Sequence, residues 1–122
     1  MTPSIFPVVA AYPPAQDVLG TNPVRFFPFG QVKPEYANTT YAVHQIISGS
    51  PENYLNQRPD IDRVTIQIDA YADTGVEATA AAVAIRDAVE GRAYVVSWRG
   101  TGRDGPTGRF RASFDVSWWE PR

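Results

Sequence analysis

Ser48-Gly-Ser-Pro-Glu-Asn-Tyr-Leu-Asn-Gln-Arg-Pro-Asp-Ile-Asp-Arg-Val-Thr-Ile-Gln-Ile-Asp-Ala-Tyr71 decides how this chain folds. Its first half is polar and rich in turn formers. Its second half alternates Val64, Ile66, Ile68 and Ala70 with Arg63, Thr65, Gln67 and Asp69, the pattern of a strand that buries one face. The preceding strand ends near Ser48 and the next starts near Arg63, so the connection is long for a hairpin. Long loops in small domains usually serve a function or are disordered. Tyr54 and Leu55 lie within it, and apolar side chains at a loop tip are costly unless they meet something. The segment reads as an interaction arm.

On either side of the arm the periodicity builds a sheet. Thr40 to Ser48 reads as a strand with Tyr41, Val43, Gln45 and Ile47 on one face and Ile46 beside His44 on the other. Both faces are partly apolar, which suits a central strand or one whose second face meets another subunit. Tyr94 to Trp98 is a further strand. Phe110 to Trp119 alternates Phe110, Ala112, Phe114, Val116 and Trp118 with Arg109, Arg111, Ser113, Asp115 and Ser117. Between these two strands, Arg99 to Gly108 has four glycines and Pro106, a flexible hairpin loop.

The clearest helix follows the arm's strand. Thr74-Gly-Val-Glu77 is a capping box, in which the threonine oxygen takes an orphan N–H and Glu77 returns to the N–H of the cap. Ala78, Ala82, Ile85 and Val89 form a stripe flanked by Ala81 and Ala88, with Gly91 as the stop. So small a face lets the helix lie close across the sheet. Near the N-terminus, Ser4 to Leu19 reads as a helical segment interrupted by Pro13-Pro14, because proline inside a helix removes a donor and clashes with the preceding turn. Ala15 to Leu19 resumes for a turn, ended by Gly20. Val24 to Phe29 reads as a short strand limited at Pro28, and Gln31 to Thr39 as a loop. The expected fold is one α+β domain over residues 1–122, an antiparallel sheet of about four strands with helices on one face.

Composition sets further bounds. A chain of 122 residues with 43% hydrophobic and 20% charged residues suits one soluble core. The net charge of -2 is unevenly placed: residues 1–90 hold ten acids and five bases, whereas residues 91–122 hold six arginines and three acids. There is no cysteine, hence no disulfide or thiolate metal site, and no run of about 20 apolar residues that a membrane span needs. The opening Met-Thr-Pro-Ser-Ile-Phe-Pro lacks the basic region and apolar core of a secretory signal, so the expected place of synthesis and use is the cytoplasm.

Chemical motifs are few. Gly100-Thr-Gly-Arg-Asp-Gly105 fits G-x-G-x-x-G, but a dinucleotide site needs those glycines between a strand and a helix, and here a strand follows. His44 lies mid-strand, where a structural histidine is the simpler account than a general base. Asp60, Asp62, Asp69 and Asp73 lack the glycine and terminal glutamate of a calcium loop and are interspersed with Arg63 and preceded by Arg58, which favours ion pairs. No cofactor is expected. Arg99, Arg103, Arg109 and Arg111 are residues that can meet DNA phosphates, although such residues are usually solvated or paired. Contact-forming residue types are plentiful instead: Tyr54, Leu55, Trp98, Trp118 and Trp119. Trp118 and Trp119 must point to opposite faces, and one layer of helices covers only one of them; self-association would cover the other.

Gly-Ser-Pro-Glu-Asn-Tyr-Leu-x-x-Arg-Pro-Asp-x-Asp, followed by Val-x-Ile-Gln-Ile-Asp-x-Tyr, resembles the tail-completion (tail-terminator) proteins of long-tailed, non-contractile bacteriophages. The similarity extends to Asn22-Pro-Val-Arg-Phe-Phe-Pro-Phe-Gly30 and to Phe110-Arg-Ala-Ser-Phe-Asp-Val-Ser-Trp-Trp119, with the Pro13-Pro14 pair as a departure. The resemblance implies a structural virion protein without enzymatic activity. Such proteins form a ring, typically a hexamer, at the head-proximal end of the tail tube, stop tube polymerisation and join the tail to the head-side connector. It implies the neck of the virion as location after assembly in the host cytoplasm, and as partners other copies of the chain, tail-tube protein, connector protein and, passively, DNA in the lumen. The expected interface residues are Glu52, Asn53, Tyr54, Leu55, Arg58, Asp60, Asp62, Trp98 and Trp119, with Arg99, Arg103, Arg109 and Arg111 facing DNA. Competing expectations are another connector or minor virion protein, and a small α+β enzyme using His44 as its base.

Overall fold

The computed structural model describes residues 5–51 and 61–121. Its elements in chain order are α1 (Ile5–Ala10), α2 (Pro13–Leu19), β1 (Phe26–Pro28), a short 3-10 turn (Pro34–Tyr36), β2 (Tyr41–Pro51), β3 (Ile61–Ala72), α3 (Gly75–Val89), β4 (Ala93–Arg103) and β5 (Phe110–Pro121). Among the described residues five strands make one sheet in the order β1-β2-β3-β5-β4. The expectation of about four antiparallel strands needs correcting. Val24–Phe29 does contain a strand, but β1 runs parallel to β2 at the sheet edge, so the sheet is mixed. Pro28 ends β1, as its missing N–H requires.

The opening helical segment is interrupted as expected, α1 ending at Ala10 and α2 beginning at Pro13, but the proline pair lies inside the second helix and not in the gap. Pro13 and Pro14 occupy the first positions of α2, where a helix has no partner for their missing N–H groups, so they start a second helix. Gly20 then ends α2 at φ +83, and a Cβ there would come within 2.5 Å of the Arg25 guanidinium. Arg25 in turn donates from Nε to the Thr40 carbonyl at 2.8 Å, tying the segment after α2 to the entry of β2.

Helix α3 begins as its sequence dictates. Thr74 accepts from the Glu77 N–H at 3.1 Å, but its hydroxyl donates to the Glu77 carboxylate, so the return bond reaches the hydroxyl and not the expected cap N–H. Ala78, Ala81, Ala82, Ile85 and Val89 are all buried. The helix stops at a right-handed Glu90, with no left-handed φ at Gly91.

All three helices contribute to one core with a single side of the sheet: Ile5, Val9, Leu19 and the α3 alanines meet Ile66, Ile68, Ala70, Ala112, Phe114, Val116 and Trp118. Burial of large apolar side chains contributes roughly 1.5–3 kcal/mol each before chain entropy is counted, so this layer dominates stability. Phe26 joins the core, Phe27 stacks on Tyr36, and Phe29 is exposed. The three aromatics thus divide between core and surface.

Strand β4 corrects a boundary. Residues 99–103, expected in a flexible loop, continue the ladder with β5, leaving only 104–109 as the connection. Asp104 organises that connection, accepting from the Thr107 N–H and hydroxyl. Two irregularities, at Val96 and Arg99, interrupt the β4 ladder. Because side chains alternate with period two, the first resets the alternation, so Tyr94 faces one side and Trp98 the other.

Candidate interaction surface

The second side of the sheet carries no helix among the described residues. It is built from the positions that alternate with the core: Tyr41, Val43 and Gln45 of β2, Thr65, Gln67, Asp69 and Tyr71 of β3, Arg111, Ser113, Asp115, Ser117 and Trp119 of β5. Although no described element covers it, its centre is closely filled. Asp69 is only 3% exposed, and Ser113, Asp115 and Ser117 are also buried.

A continuous polar chain explains how carboxylates sit there. Arg99, placed on this side by the second irregularity of β4, grips Asp115 with two bonds of 2.7 and 2.8 Å and Ser113 with a third of 2.8 Å. Ser113 donates to Asp69, which also accepts from Gln67 Nε2 at 3.1 Å. The planar fork of arginine matches a carboxylate in this two-bond manner. The hydrogen bond to Asp115 raises the Arg99 pKa, so the guanidinium is charged at any working pH.

At one end of this face Tyr41 and Tyr71 stack at 5.2 Å between ring centroids, and burial raises the pKa of both phenols. Arg111 lies 3.4 Å from the Asp104 carboxylate, and its pKa is raised first by a hydrogen bond with Tyr71. Arg109 turns inward: its Nη1 donates to the Ala37 and Thr39 carbonyls and its Nη2 to Asp73. At the opposite end Trp119 is half-buried, with the Arg63 guanidinium 5.1 Å from its ring centroid. Beside it a cleft of about 490 Å³ is lined by Gly91, Arg92, Ala93, Tyr94 and Trp119.

Sequence-expected residues separate as follows. Trp118 is fully buried behind the helices and Trp119 faces the open side, as their adjacency requires. Trp98 lies on the helix side at the β4 edge, stacked on Phe114 and 41% exposed. Arg103 stacks over Phe110 on that same side. Glu52, Asn53, Tyr54, Leu55, Arg58 and Asp60 lie outside the described residues. Asp62 pairs in backbone register with Pro51 and Glu120, so the ladder runs to the base of the arm. The polar chain through Asp69, Ser113, Asp115 and Arg99 escaped the sequence reading. Alternation put three of these residues on one side, but their mutual bonding depends on cross-strand register.

Chemistry on these residues is thin. His44 sits on the helix side against the Phe26 ring, 4.6 Å between centroids, and burial lowers its pKa. Gly100 and Gly102 lie within β4, Gly105 lies in the connection, and β5 follows, so the glycine pattern meets no helix N-terminus. Asp69 and Asp73 are engaged by Ser113 and Arg109. Among the described residues no helix is long and apolar enough to cross a membrane.

Residues 13–120 match the family described as tail completion protein gp17. The chain belongs to that family. The match spans α2 through β5, so it takes in both sides of the sheet and the arm. No curated protein matches the chain. Tail completion is a structural role in bacteriophage tails, and membership makes this chain a phage tail protein and a virion component whose expected work is contact and not catalysis.

Proposed function

We propose that this tail completion protein forms a closed ring, a hexamer, on the head-proximal end of the tail tube. One face of the ring matches tube protein and is added once; the other accepts no further tube protein and meets the head-side connector. Polymerisation ends because the added ring offers a different surface, a steric mechanism that breaks no bond. The observation that carries this reading is the family match over residues 13–120. A sheet with a preorganised, uncovered polar side supports it, since such a side is ready for a protein partner.

In the neck of the virion the arm, with Glu52, Asn53, Tyr54, Leu55, Arg58, Asp60 and Asp62, contacts a neighbouring subunit or the tube. Trp98 and Trp119 add aromatic contact area. Arg99 and Arg111, on the open side of the sheet, give the ring lumen a basic lining for passing DNA, while Arg103 lies on the helix side and Arg109 holds the 37–39 segment. Light scattering of the chain, alone and with purified tail-tube protein, tests the reading: a ring-sized mass in either sample is expected, and a monomer in both overturns it. Deleting Asn53 to Gln57 should leave the circular dichroism spectrum and melting temperature intact and abolish that mass; an unchanged assembly would remove the arm from the interface.

A further inference from the structure

The cleft of about 490 Å³ beside Trp119 has the character of a receptor for apolar side chains. Tyr94 is level with Ser117 and Trp119 with Arg63, so both rings belong to the open side of the sheet. Tyr94 is 52% exposed and Trp119 half-buried, and both are residue types that anchor protein contacts. Gly91 and Ala93 complete the lining with little bulk of their own. The lining holds one cation, Arg92, with its guanidinium 4.7 Å from the Trp118 ring centroid, and no carboxylate. The carboxylate of Glu90, next to the lining in the chain, lies 3.8 Å from Arg86.

An aromatic hollow with one cation suits an apolar occupant flanked by acids, and this chain carries one at the same end of the sheet. Pro51 pairs with Asp62, Ile61 with Pro121, and Trp118 with Ala93, so both roots of the arm and the cleft lie at one end. Nine residues, 52–60, join the roots, a span of at most about 30 Å when extended. Because the segment must return, it reaches about half as far, roughly three strand spacings. Tyr54 and Leu55 lie near its centre, with two acids, Glu52 and Asp60, against one base, Arg58. The cleft comes from residues 91–122, which hold six arginines and three acids, whereas the arm comes from the acidic remainder. The strand order also separates the two across the sheet: the arm is rooted in β2 and β3, and the cleft is formed at β4 and β5. A contact that repeats head to tail needs such a pair of different patches on opposite flanks.

We propose that residues 52–60 of one copy of this chain seat Tyr54 and Leu55 in the cleft between Tyr94 and Trp119 of the next copy, with the acids of the arm toward Arg92. Repeated at every subunit, this heterologous contact closes a ring. The inference rests on the ring reading and adds the surface that receives the arm.

The chain has no cysteine, so introduced ones report the contact directly. The full-length double variant Leu55→Cys with Tyr94→Cys, oxidised under conditions where the unaltered chain assembles, should give a ladder of species in steps of 13.4 kDa on a non-reducing gel. Each single variant should stay monomeric on that gel, and mixing the two should yield one heterodimer band. In parallel, Tyr94→Glu should raise the protein concentration needed for assembly by about tenfold or more, and Tyr94→Phe should leave it unchanged. Tyr94 is exposed, so neither substitution should move the melting temperature. Assembly with an unlinked double variant and an unaffected Tyr94→Glu would overturn the docking and leave the ring standing. A double variant that links only within one chain, without a ladder, would overturn it by seating each arm in its own cleft. Dimers from Leu55→Cys alone would overturn it in favour of arm meeting arm. In the Tyr94→Cys variant, protection of the introduced thiol from a maleimide only when tube protein is added would give the cleft to the tube and overturn it too. A chain that forms no ring with or without tube protein would overturn both the docking and the ring.

Discussion

The two sides of the sheet are made by the same strands and held by different physics. On the helix side Ile66, Ile68, Phe114, Val116 and Trp118 are fully buried beneath α3, and shape and apolar area do the stabilising. On the open side Asp69, Ser113 and Asp115 are buried, bonded to one another and to Arg99, whose own side chain stays partly exposed. The difference shows that burial alone does not mark a core. A face with no covering layer among the described residues can be nearly as inaccessible at its centre as the packed one when its polar groups are partnered.

The sharpest way to break this comparison is at the adjacent tryptophans. Trp118→Ala should destabilise the fold by about 3–5 kcal/mol in urea unfolding, because it empties a closed site under the helices. Trp119→Ala should cost much less in the same titration and act on assembly instead. Equal losses at the two positions would mean that the open side is as much a core as the other.

A smaller effect tests the polar chain. Asp69→Ala leaves Ser113 and Gln67 without their acceptor at a site that is 3% exposed, which should cost roughly 1–3 kcal/mol. Its companion Asp69→Asn keeps the shape and one acceptor, and should recover part of that loss. If Asp69→Ala unfolds at the same urea concentration as the unaltered chain, the network contributes no stability and only presents a surface.

The smallest effect concerns pH and belongs to the helix side. Burial lowers the His44 pKa below the ordinary histidine value of 6.5, so protonation favours the unfolded chain. The contribution of His44 is therefore fully present above about pH 6.5 and is lost as pH falls toward and through the lowered folded value. His44→Phe should flatten the melting-temperature profile over that acidic window while keeping the contact with Phe26. A profile that is unchanged by the substitution would assign the acid sensitivity to carboxylates.

Much of this was legible in the chain. The alternation over Val64–Ala70 and Phe110–Trp118, the alanine stripe of α3 and the Thr74 cap each depend on neighbours within a few residues, and each stands in the fold. The parallel pairing of β1 with β2 was not legible, because three residues carry too little pattern to show a partner or a direction. The extension of β4 through Arg103 was hidden by its glycines, which signal a loop in isolation but here occupy a strand with an interrupted register. Pro13-Pro14 showed that the opening helix is divided, yet which side of the break they belong to depends on φ and free N–H groups, not on their presence alone.

By itself the sequence determined which residues alternate, where α3 starts, and that Trp118 and Trp119 part company. These are consequences of period and capping, which act locally along the chain. Only the tertiary structure decided that Arg99 would grip Asp115 across two strands, that Trp98 would cross to the helix side, and that Ile46 and Val95 would stand level at opposite edges. Each of these depends on register and on the slips at Ile47, Val96 and Arg99, and register is fixed when strands distant in sequence pack to bury one common face.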